Sequence, residues 1–213
     1  MRASTPEQIN ERKNEIISAV NKMFDEMDYQ DISMKTISEN ISIARSSLYC
    51  YYSSKEEIML DILKNDYINF INDIIKAVIE KKDLASNIAH IYLKNIRLLK
   101  IISVHLTDIE THVSVECLSN FKRPFVELFD NLYKSFNQSF KNTSQNDITT
   151  IINSLLMLTH GLYPMIHPSS NQIKAMDAVG MTYCLDSYSY CLNYLNLIFS
   201  KLSWHYVSFF LAV

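Results

Sequence analysis

Residues 37–57 read ISENISIARSSLYCYYSSKEE, and they combine a short helical pattern, a polar break, a second short helical pattern and three tyrosines ahead of a lysine. This order is typical of a helix-turn-helix, which places its second helix in the major groove of DNA and anchors it to phosphates. The pattern predicts a short helix over residues 34–40, capped by Ser33, and a second over residues 44–51. Residues 41–43 would form the turn between them.

Helix signals continue on both sides of this motif. Upstream, TPEQ at residues 5–8 is a capping-box start with proline at the first helical position, and the pattern extends to about residue 27. Downstream, SKEE at residues 54–57 matches the same S-x-x-E box and begins a long amphipathic helix that ends near residue 81. Further helices are expected near residues 83–94, 96–106, 108–120, 124–141, 148–163 and 175–202.

The composition favours helices throughout. The chain has only two glycines and four prolines among 213 residues. Tight β-hairpins and phosphate-cradling loops both depend on glycine, so the composition argues against sheet proteins and against Rossmann or Walker nucleotide sites. We therefore expect an all-α fold.

Charge alone does not indicate a nucleic-acid partner. The net charge is −3, and residues 1–55 carry seven basic against eight acidic side chains, a net charge of −1. Because DNA affinity depends on local neutralisation of phosphates, any DNA binding must rest on the positions of Lys35, Arg45 and Lys55. Arg12 and Lys22 are expected to be solvated.

Localisation is predicted from the cysteines and the terminal segments. The four cysteines are scattered without a C-x-x-C motif, and the N-terminal residues are polar, without the apolar core of a signal peptide. Residues 204–213 are apolar but much shorter than the roughly 20 residues that span a bilayer, so we expect them to pack on the protein or on a partner subunit. These features indicate a cytoplasmic protein with free thiols and no membrane partner.

Residues 9–63 resemble the TetR family of bacterial transcriptional regulators. The most specific part is LYCYY followed by SKEE, residues 48–52 and 54–57, which matches the family run L-Y-x-[HY]-[FY]-x-[SN]-K-E. The resemblance implies a three-helix helix-turn-helix domain over residues 1–53. A long helix would join it to a helical domain over residues 54–213 that dimerises and binds a small molecule.

The resemblance assigns DNA contacts residue by residue. In the recognition helix the first four residues would face base edges, with Arg45 able to grip a guanine bidentately, while the two tyrosines and the remaining residues would contact the phosphate backbone. The expected DNA-contacting residues are Ser33, Lys35, Ala44, Arg45, Ser46, Ser47, Tyr49, Tyr51 and Lys55. As alternatives, Tyr49 could lie partly in the core and Arg45 could simply be solvated. Leu48 and Tyr52 are expected to be buried.

The sequence departs from the family pattern at the turn. Ser42 and Asp28 stand where the family usually has glycine, and Ser46 replaces a frequent glycine or proline. Ala44 replaces the usual serine or threonine cap of the recognition helix. A left-handed serine and a missing cap each cost about 1 kcal/mol, and the changes at Ala44 and Ser46 alter the surface that faces the groove.

The resemblance also implies partners. A homodimer, joined through helices at residues 148–163 and 175–202, would place two recognition helices on a palindromic double-stranded DNA operator. A small-molecule effector bound between helices of residues 83–165 would release the repressor, with the long helix transmitting the change. The candidate effector-binding residues, for which ordinary core packing is the alternative, are Tyr92, Phe125, Phe129, Met157, His160 and Tyr163.

No catalytic or metal site is expected. His105, Asp108, His112 and Glu116 would share a helix face, a spacing that could bind a metal, but an exposed polar stripe is the favoured interpretation. The histidines show no ordering with serine, cysteine or aspartate that indicates catalysis, so neither a cofactor nor an enzymatic activity is expected. The alternatives are an architectural DNA-binding protein without an effector, a metal-responsive regulator, and a helical-bundle enzyme.

Overall fold

The computed structural model describes residues 5–183 and 186–202, and within these ranges it contains eleven α-helices and no β-strand. The expected all-α class is therefore confirmed, while residues 204–213 lie outside the described part. In chain order the helices are α1 (Pro6–Glu26), α2 (Met34–Asn40), α3 (Arg45–Leu48), α4 (Lys55–Glu80), α5 (Leu84–Lys94), α6 (Ile96–Val104), α7 (Leu106–Thr111), α8 (Val115–Ser139), α9 (Gln145–Ile166), α10 (Ser170–Ala178) and α11 (Ser187–Phe199).

The chain divides into two compact units. The first comprises Met1–Tyr67 and Leu106–Pro124, and the second comprises Ile68–His105 and Phe125–Val213. The sequence-based boundary between residues 53 and 54 lies at the start of α4, whereas the first unit also takes in the beginning of α4, all of α7 and the beginning of α8.

The helix-turn-helix is held in the first unit by its buried apolar side chains. Ile16 of α1, Ile37 of α2 and Leu48 of α3 are fully buried, and Tyr52 is nearly so, which confirms the expected core positions of Leu48 and Tyr52. Ser42 adopts the left-handed conformation expected of it, with φ of 54°. The next N–H, that of Ile43, donates to the carbonyl of Ser38 at 3.1 Å and closes the turn.

The second unit packs its helices around α9. Helix α6 lies against α9, and α11 lies against both α5 and α9. Tyr92 of α5 is fully buried there, and its hydroxyl donates to the Leu155 carbonyl at 2.7 Å and lies 3.1 Å from the Thr159 hydroxyl. The Phe70 ring meets Tyr92 edge to face, with the centroids 5.1 Å apart.

The predicted starts of α1, α2 and α4 are confirmed, whereas the predicted end of α3 is not. Thr5 and Gln8 form the reciprocal capping box of α1, and Ser33 caps α2. At the start of α4 the Ser54 hydroxyl accepts from the Glu57 N–H, but the Glu57 carboxylate accepts from the Ser53 N–H instead of that of Ser54. Helix α3 is shorter than expected and ends at Leu48.

The helices predicted over residues 108–120 and 124–141 are wrong. Helix α7 ends at Thr111, and α8 begins at Val115, where the Ser114 hydroxyl accepts from the Cys117 N–H at 3.1 Å. Pro124 lies inside α8 instead of starting a helix. The helix continues through it because burial of the neighbouring Phe121 and Phe125 side chains outweighs the loss of one backbone hydrogen bond.

The single helix predicted over residues 175–202 is also wrong, because the structure divides this region into α10 and α11. Gly180 has φ of 70°, its N–H donates to the Asp177 carbonyl, and the Met181 N–H donates to the Met176 carbonyl. This is the Schellman arrangement that ends a helix at a left-handed glycine. Asp186 then caps α11 by accepting from the Tyr188 and Ser189 N–H groups. The hydrogen bond from the Ser189 hydroxyl, followed by those from the N–H groups, lowers the pKa of Asp186.

Two substitutions at helix caps should change stability in opposite directions. The Ser33 hydroxyl accepts from the Thr36 N–H at 3.1 Å, whereas Ala44 occupies the N-cap of α3 without a side-chain acceptor. We expect Ser33→Ala to lower the free energy of unfolding by about 1 kcal/mol and Ala44→Ser to raise it by about 1 kcal/mol. Denaturant unfolding of the full chain measures both changes, and shifts of the same sign would contradict the assignment.

Candidate nucleic-acid interface

Helix α3 presents a continuous exposed surface on a buried anchor. Leu48 is fully buried, whereas the residues around it are exposed. These exposed residues are Ala44, Arg45, Ser46, Ser47, Tyr49 and Cys50. The four residues predicted to face base edges are therefore all open to a partner.

Arg45 and Tyr49 form a pair on this surface. They lie one helical turn apart, and Arg45 Nη2 donates to the Tyr49 hydroxyl at 3.1 Å. The guanidinium carbon is also 5.6 Å from the centroid of the Tyr49 ring, within the range of a cation–π contact. Tyr49 is 45% exposed, so the side chain lies on the surface and not in the core.

A groove of about 520 Å³ runs beside the recognition helix. Its lining includes Arg12 of α1 together with Ser46, Ser47 and Tyr51. The local pattern of α1 predicts a solvated Arg12, because nothing in it links this residue to a helix more than 30 residues later. The structure brings the Arg12 side chain, which is paired with Glu15, to the edge of the expected DNA-facing surface.

Two residues at the start of α2, Ser33 and Lys35, are expected to contact DNA, and their environments differ. Ser33 is half-buried, and its hydroxyl and N–H are both bonded to Thr36. Lys35 is exposed, and its nearest acidic partner is the equally exposed Glu39 at 3.9 Å. A surface pair at that separation contributes little, so the Lys35 ammonium can exchange Glu39 for a phosphate at small cost.

Lys55 has a different environment from the one predicted. Its ammonium donates to the carbonyls of Tyr29 and Ile32 at 3.1 and 2.9 Å and lies 4.1 Å from the centroid of the Tyr29 ring. Two of its three donors are therefore used to fasten the segment between α1 and α2 to the start of α4. One N–H donor of the Lys55 ammonium therefore remains for a phosphate.

Tyr29 also holds the segment between α1 and α2 against the start of α4. Its hydroxyl donates to the Glu56 carboxylate at 3.4 Å, and its ring is buried beneath the Lys55 ammonium. Burial raises the pKa of Tyr29, and the negative charges of Glu56 and Asp108 raise it further. The phenol therefore stays protonated, and it remains a hydrogen-bond donor to Glu56.

Tyr52 fixes the chain that leaves the recognition helix. Its hydroxyl donates to Asp61 of α4 at 2.9 Å, and Lys64 contacts the second oxygen of the same carboxylate at 2.8 Å. Burial, followed by the charge of Asp61, raises the pKa of Tyr52. Lys13 lies 4.6 Å above the Tyr52 ring. Leu48 and Tyr52 thus hold the exposed surface of α3 in place from beneath.

The candidate effector-binding residues are not brought together as one site. Tyr92 is fully buried and bonded to Leu155 and Thr159, whereas Met157 is 76% exposed and His160 is also exposed. The Met157 and His160 side chains therefore lie on an outer face of α9 and do not share an interior cavity with Tyr92.

The other three candidates pack locally. The rings of Phe125 and Phe129 lie 6.4 Å apart along α8. Tyr163 is half-buried, and its ring stacks on His167 with the centroids 4.8 Å apart. These are contacts between successive turns of single helices, which is the ordinary-packing alternative.

The candidate metal ligands fall on separate elements. Helix α6 ends before His105 and α7 ends before His112, so the expected shared helix face does not exist. His112 pairs only locally with Asp108, at 3.3 Å. Within the part of the chain that the structure describes, no three histidine, cysteine or acidic side chains are grouped so as to hold a metal ion.

Across the described helices, none combines the length and the apolar character that a membrane crossing needs.

Comparison with known families agrees with this geometry. Residues 16–62 match the family model described as "Bacterial regulatory proteins, tetR family", and residues 66–184 match that described as "Tetracyclin repressor-like, C-terminal domain". The second match alone covers more than half of the 213 residues. No curated protein matches the chain significantly. The chain therefore belongs to the TetR family of DNA-binding transcriptional regulators.

Proposed function

We propose that this protein is a cytoplasmic homodimeric repressor that binds a palindromic operator and is released from it by a small-molecule effector. The observation that carries the DNA-binding part is the exposed surface of α3, supported from beneath by the buried Leu48 and Tyr52. A rigid support of this kind is what allows short side chains to meet base edges in a fixed register.

The roles on this surface follow from chemistry. Arg45 carries a planar fork of donors that fits the O6 and N7 acceptors of guanine. Ser46 and Ser47 can donate to or accept from neighbouring bases, and Ala44 can contact a thymine methyl group. On the flanks, Lys35 and Tyr51 would contact phosphates, which set the register without reading sequence, whereas the Ser33 hydroxyl is already bonded to Thr36.

A direct experiment is selection from a pool of random double-stranded DNA with the full-length protein. Two recognition helices on a two-fold axis should enrich an inverted repeat whose half-site centres lie about 34 Å apart, roughly one turn of B-DNA. Recovery of no enriched motif would overturn the proposed function. Enrichment of a single half-site would overturn the dimeric arrangement.

An exposed apolar surface on α9 and α11 supports the dimer. Met157 and Met165 lie two turns apart on α9, and Tyr194 and Leu197 lie on the neighbouring α11; all four are exposed. Gly161 lies between the two methionines, and a Cβ atom there would meet nothing within 4 Å in the same chain. An exposed apolar surface with a small residue at its centre fits the approach of a second copy.

Met157→Arg should therefore dissociate the dimer at micromolar concentration, because it places an unpaired charge within the apolar interface. Sedimentation velocity should show a monomer, and affinity for the selected inverted repeat should fall accordingly. Val126→Arg is a matched control, because Val126 is similarly exposed at 70% but lies on α8. If Met157→Arg remains a dimer, or both variants dissociate alike, the assigned interface is wrong.

The effector part of the proposal is supported by family membership and by the course of α4. This single helix begins in the first compact unit and ends in the second. An effector that prefers one arrangement of α4 would change operator affinity by a coupling of roughly 1–3 kcal/mol, or about 5- to 150-fold. The test is to add the small-molecule fraction of a cell extract to the operator complex. If no fraction changes the affinity of the protein for its operator, the effector-free alternative is favoured.

A further inference from the structure

The hydroxyl group of Tyr49, the residue that follows the buried Leu48, contacts another side chain. Tyr49 accepts a hydrogen bond from Arg45 Nη2 at 3.1 Å, and its ring lies 5.6 Å from the guanidinium carbon. The resemblance to the family predicts that this tyrosine contacts a phosphate of the DNA backbone. The observed contact is instead with the one cation on α3.

We infer that Tyr49 is a positioning residue that holds the Arg45 guanidinium in the orientation needed to read a base pair. This inference rests on the proposed function and adds a determinant of sequence preference to it. Arginine has several N–H donors in a rigid fork, so the one donated to Tyr49 leaves others directed outward.

The local structure explains why Arg45 needs such a support. Helix α3 has only four residues, and Ala44 provides no side-chain cap for its first turn. An exposed arginine at the start of such a helix samples many rotamers, and binding a base would have to restrict them. Tyr49 lies at i+4, where helical side chains meet, and it reduces this freedom before DNA binds.

The phosphate role predicts a different signature for the same hydroxyl. While the Tyr49 oxygen accepts from Arg45, its own O–H can still donate to a phosphate. Removing a phosphate contact lowers the affinity for every DNA sequence alike, and because the phenol is neutral the salt dependence of binding stays the same. A positioning contact acts instead at the base pair that Arg45 reads.

The experiment is selection from the random double-stranded pool with Tyr49→Phe, with Arg45→Ala and with the double variant, alongside the wild-type protein. Tyr49→Phe keeps the ring and removes only the hydroxyl, so it isolates the hydrogen bond. We expect it to lower discrimination about fivefold at the same base pair that Arg45→Ala affects, and to add no further loss in the Arg45→Ala background. Binding to a random-sequence duplex gives the affinity that is independent of sequence.

Tyr51→Phe is the matched comparison, because it removes a nearby hydroxyl that is not bonded to Arg45. We expect it to weaken binding to all duplexes while leaving the selected motif unchanged. If Tyr49→Phe also leaves the motif unchanged, whether or not affinity falls, the inference is overturned. That result differs from failure of the proposed function, in which the wild-type protein selects no motif at all.

Discussion

Arg45→Ala should reduce the preference of the protein for its selected operator over a version mutated at one base pair in one half-site by roughly 5- to 150-fold. The reason is that a bidentate arginine–guanine contact contributes about 1–3 kcal/mol of discrimination against the wrong base. Arg45 is exposed at the start of α3, and the rest of the helix is anchored independently by Leu48. The change should therefore act on base reading without loss of the fold. Fluorescence anisotropy with the two duplexes measures the ratio.

Lys35→Ala is the control that separates base reading from phosphate binding. Lys35 is exposed on α2, and among the described residues its one ion pair is a long surface pair with Glu39. Its removal should weaken binding to both duplexes alike and reduce the slope of log affinity against log salt by about 1 per subunit. If Arg45→Ala behaves as Lys35→Ala does, Arg45 is a phosphate contact and the assignment of base reading to it is wrong.

Lys55→Met should lower the free energy of unfolding by about 2–3 kcal/mol. The ammonium makes two charge-assisted hydrogen bonds to the carbonyls of Tyr29 and Ile32 and a cation–π contact with the Tyr29 ring. Such bonds contribute about 1.5–3 kcal/mol each, reduced here because Lys55 is partly exposed and water can replace it. Methionine keeps most of the apolar stem and removes the charge. Denaturant unfolding monitored by circular dichroism gives the change.

Lys76→Met is the matched control on the same helix. Lys76 is exposed and pairs at the surface with Asp73 at 3.2 Å, so its replacement should change stability by less than about 0.5 kcal/mol. Equal effects of the two substitutions would show that the Lys55 contacts contribute no more than an ordinary surface pair.

The sequence predicted the starts of α1 and α2 well because their signals are local. Thr5 with Gln8 and Ser33 act within three residues, and the structure shows both caps as expected. The expected burial of Leu48 and Tyr52, two residues of the family motif, is also confirmed. Those side chains are what position the recognition surface, so its outline could be inferred before the structure.

The errors arose where two local signals competed. Pro124 was interpreted as a helix start, yet burial of its neighbours carries α8 through it. A left-handed glycine such as Gly180 usually ends a helix, and an aspartate such as Asp186 often caps the start of the next one. The apolar periodicity around them nevertheless predicts one continuous helix. Periodicity does not show whether an apolar pattern is interrupted by a Schellman turn.

Partners that are distant in sequence could not be predicted at all. Lys55 bonds main-chain carbonyls of Tyr29 and Ile32, and backbone acceptors carry no sequence signature. Met157 lies outside the buried apolar stripe of α9, and the structure exposes it, so periodicity alone assigns it no partner. Apolar periodicity indicates that a helix face is buried. It does not show whether the same chain, an effector or a second copy of the chain buries that face.

The central claim is that this protein recognises a specific DNA sequence through α3. The most direct test is the ratio of its affinities for the selected inverted repeat and for a scrambled duplex of the same composition, measured at about 0.15 M salt. We expect a ratio of at least roughly 10³, as is usual for specific binding at physiological ionic strength. Equal affinities for the two duplexes would contradict the claim.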